Sequence, residues 1–367
     1  MKKKIILAAA PCAAIVLGAP PVHAQSSVTL WGQMDVGVDY VSNQGGKHNF
    51  MMDDGVNGPD LLGLRGVEDL GGGTKAIFEL VDQFSVDTGS FTANQSLFSR
   101  TSLVGLESDR LGTLTLGNQY EFMTDTLFFN GDDPVDLAGH FYGFRAGPFQ
   151  KLNLPNNPTG SFDWDLMSGG EPVNNSVKYV SPRVGGFGFG AMYAFGGVPG
   201  SVGAGNAQSF SLTYGQESFG ADAAFTNIKT YTVGAPQVSV RNWGIGTHYV
   251  FGNWRTNALF TTVHNSANGG FVYEGSVGAE YHFTPAFMVG SAYMYMKGNA
   301  TVNNNHANQF AGIAQYSLSK RTSVYAMALY QRSNAGSHAQ LSGMNEMDEQ
   351  SDTNVQAIAR IGIRHQF

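Results

Sequence analysis

Cysteine is almost absent from this 367-residue chain, since the only one, Cys12, lies near the N-terminus. Residues 1–24 resemble a removable secretory signal, with three lysines, a short apolar stretch and a small-x-small site at Val22–Ala24. The alternative, a membrane anchor, is weaker because Pro11 interrupts a run shorter than the roughly 20 apolar residues that span a bilayer. We therefore expect a mature chain from Gln25 that lacks cysteine, which excludes disulfides, thiolate metal sites and a cysteine nucleophile.

Basic residues and long apolar runs are also scarce. Without residues 1–24, 18 of the 21 lysines and arginines remain against 28 acids, a net charge of −10. This argues against nucleic acid as a partner, because nucleic acid is bound by a basic surface. Beyond the signal, no segment approaches 18 apolar residues, which excludes a helical membrane protein but not a membrane β-barrel. The nine histidines show no ligand spacing, so we expect no metal site, and no catalytic triad or cofactor motif is evident.

What the sequence does contain is alternation of apolar and polar residues. The clearest case is the segment 353–367, TNVQAIARIGIRHQF. A period of two indicates a β-strand with one apolar and one polar face. Such a strand, ending in an aromatic residue, suits a membrane barrel whose outside contacts lipid and whose inside contacts water. Arg360 and Arg364 are then lumen residues near the mouth, or they pair with acids of the first strand such as Asp35, and the two interpretations are compatible.

Sixteen segments are strand candidates. They lie near 28–40, 60–69, 74–86, 96–107, 111–120, 175–182, 186–196, 207–217, 219–228, 239–251, 253–264, 271–283, 285–297, 307–318, 320–332 and 353–367. Tight turns such as 70–73 and 108–110 alternate with longer polar connections such as 41–59 and 333–352. The even strand number and this alternation predict an all-β fold, a sixteen-stranded antiparallel transmembrane β-barrel over residues 25–367.

One connection, residues 121–174, contains no convincing strand, and loops of this length are usually functional. It is the third long loop. Folded outward it would be a lid or receptor site, and folded inward it would narrow the aqueous lumen that a sixteen-stranded barrel encloses. Its acids Asp132, Asp133 and Asp136 either line a constriction or are solvated. The loop is also rich in aromatic residues: Phe128, Phe129, Phe141, Tyr142, Phe144, Phe149, Phe162 and Trp164.

Seven segments together carry a family resemblance. They are SSVTLWGQMDVGVDYV (26–41), LGLRGVEDLGGGTKAIFEL (62–80), LFSRTSLVGLES (97–108), LGTLTLGNQYEFM (111–123), NNSVKYVSP (174–182), FGAMYAFGG (189–197) and IGIRHQF (361–367). The chain resembles the trimeric general diffusion porins of Gram-negative bacteria, of the β-proteobacterial type. The resemblance implies a homotrimer in the outer membrane, passive diffusion of small hydrophilic solutes, and a third loop folded inward. It also implies contact with lipid and lipopolysaccharide, and recognition of Phe367 by the barrel assembly machinery.

In that family, acids of the inward loop face arginines on the pore wall. The resemblance places three loop acids at the constriction: Asp132, Asp133 and Asp136. It places four residues on the wall: Arg65, Arg100, Lys178 and Asn118. Three positions where the family has arginine are changed here: Leu61, Asn118 and the segment 171–173. We therefore expect a modest cation preference. A substrate-selective channel with a tailored loop, and a structural or adhesive barrel without open conductance, remain alternatives, and no enzymatic activity is indicated.

Overall fold

The computed structural model describes residues 26–91, 97–140, 145–155, 163–168, 172–341 and 350–367, so the predicted signal segment lies outside the described residues. The described strands are β1 Ser27–Gln44, β2 Lys47–Asp54, β3 Leu61–Gly71, β4 Thr74–Gln83, β5 Thr101–Ser108, β6 Gly112–Gln119, β7 Val173–Val180, β8 Phe187–Ala194, β9 Ala207–Gln216, β10 Phe219–Thr230, β11 Val238–Phe251, β12 Trp254–Asn265, β13 Gly270–His282, β14 Phe287–Gly298, β15 His306–Ser317, β16 Thr322–Ser333 and β17 Val355–Gln366. Helical segments are short: a π-helical turn Met123–Phe128, α1 Pro134–Leu137, and 3-10 turns Gln150–Leu152 and Ala300–Val302. Among the described helices, none has the length and apolar character needed to cross a membrane.

The sheet closes on itself through its first strand. One edge of β1 pairs antiparallel with β17, with Val36 opposite Ile363. The other edge pairs first with β3 and then, nearer the far rim, with β2. Because β2 and β3 fill one position between them, the seventeen described strands form a closed barrel of sixteen positions, as the sequence predicted.

Strand β2 corrects one detail of that prediction. The polar segment 41–59 was expected to be a long loop, but β1 continues to Gln44 and β2 returns from Lys47. The turn between them is tight because Gly45 and Gly46 both adopt positive φ, 57° and 90°. Much of the expected first loop is therefore strand, because residues 36–41 of β1 pair with β2 on one edge and with β17 on the other.

The two faces of the wall follow the predicted alternation. Val28 in β1 and Ile361 in β17 are 67% and 72% exposed on the outer face of the isolated protomer. Their polar neighbours point inward, and Asp39 and Arg360 are buried. Arg360 donates to Asp39 Oδ2 (2.6 Å) and Asp35 Oδ2 (3.3 Å), so the expected pairing with first-strand acids is present. Lipid outside and water inside explain this period of two.

Aromatic side chains line the outer face of the rim where the short turns lie. Neighbouring rings are in contact along the strand ends, with centroids 4.7 Å apart for Phe187 and Tyr214 and 4.8 Å for Tyr281 and Phe283. Further contacts join Phe251 to Trp254 and Phe283 to Phe287. Such a girdle marks the interface between hydrocarbon and water in membrane barrels.

Candidate functional site

The described parts of the third loop, residues 120–140, 145–155 and 163–168, lie inside the barrel along one side of the wall. The turn Met123–Phe128 contacts β9, β10 and β11, and helix α1 contacts β12, β13 and β14. The turn Gln150–Leu152 contacts β13. The predicted inward fold of this loop is thus confirmed, and the open part of the lumen is left against the opposite strands, β1 and β3 to β7.

Wall glycines allow helix α1 to approach the backbone of the wall closely. A Cβ atom on Gly290 in β14 would lie 2.1 Å from the carbonyl oxygen of Ala138, and a Cβ on Gly278 in β13 would lie 2.8 Å from Pro134 Cβ. Both distances are too short for non-bonded atoms, so neither position accommodates a side chain while the loop is docked. These glycines therefore provide the surface on which the loop rests.

A buried ion network holds the middle of the loop. Arg145 donates to Asp133 through Nη1 (2.9 Å) and Nη2 (2.6 Å), and its Nε lies 3.0 Å from Asp165 Oδ2. Thr261 of β12 donates to Asp165 Oδ2 at 2.7 Å, which ties the network to the wall. Burial alone would lower the pKa of Arg145, but the carboxylates of Asp133, Asp165 and Glu274 hold it above its usual range. The arginine therefore remains charged and holds two acids of the same loop together.

Separate contacts fix the two ends of the loop. Near its start, Glu121 is buried and accepts hydrogen bonds from the backbone N–H groups of Met123 (2.6 Å) and Thr124 (2.9 Å) and from the hydroxyl of Thr226 in β10. Towards its end, Asn242 of β11 donates to the carbonyl oxygen of Trp164 (2.8 Å). Burial raises the pKa of Glu121, while these donors oppose that shift. The loop is thus anchored independently of Arg145.

Between the loop and the opposite wall lies a cavity of about 580 Å³, which we call the passage. Eighteen residues line it: Trp31, Gln33, Asn57, Gly58, Pro59, Leu61, Glu79, Val81, Thr101, Leu103, Gln119, Tyr120, Asp125, Phe128, Phe129, Asp136, Lys178 and Arg364. A second cavity of about 370 Å³ shares Glu79, Leu103, Gln119, Asp125 and Lys178 with it. The two cavities therefore adjoin each other along the wall opposite the loop.

Five acidic or basic side chains face the passage. Asp125 and Asp136 belong to the loop, whereas Glu79, Lys178 and Arg364 belong to the wall. Lys178 forms an ion pair with Asp125 and donates to the carbonyl oxygen of Tyr120 (2.7 Å). Arg364 donates to the carbonyl oxygen of Asn57 (2.9 Å) and to Gln33 Oε1 (2.8 Å). Burial raises the pKa of Asp136 to about 6, and nearby cationic groups including Arg364 oppose the shift.

The three loop acids expected at the constriction have different surroundings. Asp136 lines the passage. Asp132 is buried against the wall, with its Oδ1 2.7 Å from Nδ1 of His248. Asp133 is engaged by Arg145 and also accepts from the N–H of Val135 (2.9 Å) as the N-cap of α1. Neither Asp132 nor Asp133 is among the residues that line the passage.

The four expected wall residues are also divided. Lys178 lines both cavities, and Arg65 lines only the second. Arg100 is buried at the top of β5, where it donates to Gln83 Oε1 (2.5 Å) and to the carbonyl oxygen of Ser168 (3.2 Å). Asn118 donates to the carbonyl oxygen of Ser99 (2.8 Å), and its neighbour Gln119 lines the passage instead. The β6–β7 register changes between Gly117 and Gln119, at the point where Gln119 rather than Asn118 faces the passage. No sequence signal indicated this register change.

A closed β-barrel with polar residues facing its inner space, and a loop folded into it, defines a diffusion channel. Comparison with known proteins agrees. Residues 9–336 match the family model described as Gram-negative porin, and the chain belongs to that family. It is therefore an outer-membrane porin, a multi-pass β-barrel that forms a water-filled channel for the passive diffusion of small hydrophilic solutes.

Individual relatives match along their whole length. The chain is 28% identical to outer membrane porin protein 32 of Delftia acidovorans, and 25% identical to an outer membrane porin protein of Bordetella pertussis, each alignment covering 100% of both proteins. The structure of an anion-selective porin from Comamonas acidovorans matches with a TM-score of 0.75 and 25% identity, over 94% of this chain and 100% of that one. The family and the fold point to a channel rather than an enzyme.

Proposed function

We propose that this porin is a general diffusion channel with a modest preference for cations, and that the passage is its constriction. The observation that carries the proposal is the set of charges facing the passage: three carboxylates, of Glu79, Asp125 and Asp136, against the two cationic groups of Lys178 and Arg364. In a narrow pore with walls of low dielectric constant, an unbalanced fixed charge concentrates ions of the opposite sign.

Pairing within the passage sets the size of this effect. Asp125 and Lys178 neutralise each other as an ion pair, and Asp136 and Arg364 lie on opposite sides. Glu79 is then left, and Arg65, opposite it in the β3–β4 pairing, faces the adjoining cavity. This arrangement supports a preference that is cationic but small.

The position of Leu61 also supports a preference for cations. This residue lines the passage at a place where the family resemblance leads us to expect arginine. The relative from Comamonas acidovorans is described as anion-selective, and at 25% identity the charges of a constriction need not be retained. A wall leucine removes the facing positive charge without adding a negative one, so the remaining carboxylates dominate.

The test is the zero-current potential across a KCl gradient in planar bilayers. We expect a potential of cationic sign in the wild type and a smaller one in Glu79→Gln and Asp136→Asn. Asp109→Asn is the matched control, because it makes the same charge change in an exposed turn at the rim. A wild-type potential of anionic sign would refute the proposed selectivity. Equal potentials in Asp136→Asn and Asp109→Asn would show that Asp136 does not act in the constriction.

A substrate-selective channel is the second candidate, because four aromatic side chains line the passage: Trp31, Tyr120, Phe128 and Phe129. Of the other loop aromatics, Phe149 and Trp164 are buried, and Phe141, Tyr142, Phe144 and Phe162 lie outside the described residues. The four rings favour solutes with an apolar face. Liposome swelling with solutes of equal size separates the candidates: equal rates support the general channel, and faster entry of aromatic solutes supports the selective one.

Assembly and partners complete the proposal. The outer faces of β1, β3, β5, β6 and β17 carry exposed aliphatic side chains, among them Leu30, Leu62, Leu106, Leu116 and Ile363. A sector of this kind, beside the aromatic girdle, suits contact with other protomers, so we propose a homotrimer in contact with lipid and lipopolysaccharide. We also propose removal of residues 1–24 on export and recognition of Phe367 by the barrel assembly machinery. N-terminal sequencing of the mature protein, expected to begin at Gln25, tests the cleavage site.

A further inference from the structure

The third loop meets the wall through a cluster of three ionisable side chains that the passage does not use. Asp132 comes from the loop, Asp222 from β10 and His248 from β11. One ligand atom from each lies within 4.8 Å of the other two. Asp132 and Asp222 are 0% and 3% exposed, and His248 is partly exposed on the lumen side. Two carboxylates and an imidazole are therefore held close together and largely shielded from solvent.

Each carboxylate of the cluster has an oxygen that lacks a donor. Among the described residues no N–H or O–H group donates to Asp132 Oδ2 or to Asp222 Oδ1. Their other oxygens are engaged, since Asp132 Oδ1 lies 2.7 Å from His248 and Asp222 Oδ2 accepts from Asn130 at 3.0 Å. Buried carboxylate oxygens without donors are unfavourable unless a proton or a metal ion joins them.

We propose that Asp132, Asp222 and His248 bind one divalent transition-metal ion of the zinc class, which joins the third loop to the barrel wall. Zinc accepts imidazole nitrogen and carboxylate oxygen, and three protein ligands leave its fourth position for water. The imidazole favours zinc or a related ion over magnesium or calcium, which prefer oxygen alone. Binding replaces the contact between His248 and Asp132 and gives both unsatisfied oxygens a partner.

The neighbourhood of the cluster fits this assignment. Gly246 of β11 lies opposite Asp222 in the β10–β11 pairing, and a Cβ on it would lie 2.5 Å from Asp132 Cβ. The missing side chain admits the aspartate. Two positive charges act on the cluster, from Arg183 on Asp222 and from Arg255 on His248, but Arg255 is paired with Glu280 at 3.2 Å. Ligand spacing along the chain did not indicate the site because three distant segments supply its residues.

Titration calorimetry of the purified full-length protein in detergent at pH 7.5, with ZnCl₂ as the probe, tests the proposal. We expect one zinc ion per protomer in the wild type and at least tenfold weaker binding in Asp222→Asn and in His248→Gln. Glu280→Gln is the control, because Glu280 lies near two other histidines, His140 (3.6 Å) and His282 (3.0 Å). Undiminished binding in the first two variants, or loss only in the control, would overturn the proposal.

A measurement on the wild type alone keeps the test independent of variant folding. Zinc-edge X-ray absorption of the loaded protein should show a first shell of nitrogen and oxygen at about 2.0–2.2 Å with a single imidazole. A shell with two imidazoles would assign the ion to the group around Glu280 instead and overturn the proposal. The proposal would also be overturned if the absorption spectrum showed no bound zinc at the zinc concentration that saturates the calorimetric titration.

Discussion

Replacing Arg145 with methionine should release the middle of the third loop into the lumen. The arginine side chain is fully buried and bridges Asp133 and Asp165, with Glu274 of β13 close by. Methionine fills similar space but leaves these acids without their cation. Because the resulting negative charges are buried together, the docked state of the loop is destabilised. Exposure of the loop to the aqueous lumen lets water solvate these charges.

The size of the effect follows from the burial of the network. Removing one partner of a buried ion pair costs roughly 3–5 kcal/mol, because the other partner stays desolvated. At about 1.36 kcal/mol per factor of ten, the ratio of docked to released loop falls by about two to nearly four orders of magnitude. The contacts of Glu121 with Thr226, and of Asn242 with the backbone of Trp164, do not involve Arg145, so the loop should stay attached at both ends.

Single-channel recording in planar bilayers measures the outcome, and we expect a larger conductance with frequent steps between levels. Arg360→Met is the matched control, because Arg360 is equally buried and paired but lies against β1, away from the loop. Adding Asp133→Asn and Asp165→Asn to Arg145→Met removes the uncompensated charges and should restore wild-type conductance, since asparagine also caps helices well. Wild-type conductance in the single variant would refute the reasoning.

Three further predictions concern the passage, the loop surface and barrel closure. The pKa of Asp136 is raised to about 6, so its negative charge is present above that pH and lost below it. The cation preference should therefore be smaller at pH 5 than at pH 8. A preference that stays constant, or that shrinks equally in Asp136→Asn, would contradict this. Gly290→Ala should disturb loop docking and raise the conductance, because its Cβ would lie 2.1 Å from the oxygen of Ala138. Gly312→Ala should not, because its Cβ would make only an ordinary contact with the oxygen of Gly290, at 3.8 Å. Deleting Phe367, whose N–H donates to the first strand, should lower the amount of protein that reaches the cell surface, and normal surface levels would refute its role.

The barrel was predictable because contact with lipid on the outside and water on the inside favours alternation of apolar and polar residues along the strands. Sixteen strand positions could therefore be located from this pattern together with the tight turns and longer polar connections between them. The segment that escaped detection, β2, reads KHNFMMDD and offers only Phe50 and Met52 as exposed apolar residues on its outer face. It pairs with β1 within the wall, but its polar composition resembles that of a loop.

The constriction was less predictable, because the surroundings of a loop residue depend on distant partners. Asp132, Asp133 and Asp136 are nearly consecutive, yet only Asp136 lines the passage. Asp132 lies against His248, which is 116 residues away in the chain, and Asp133 is held by Arg145 within the loop. Nothing in a run of acids shows which of them a buried partner will engage.

Pairing, more than the number of charged residues, therefore sets the field of this channel. The acids of the third loop first hold the loop in place: Asp133 and Asp165 through Arg145, and Asp132 beside His248. Lys178, a cation expected to face the loop acids, pairs with Asp125 and contributes little net charge. The charge left to act on a passing ion is then the small net charge of Asp136, Glu79 and Arg364. We therefore expect a change at one wall position such as Leu61 to alter the selectivity of this porin while the network around Arg145 stays intact.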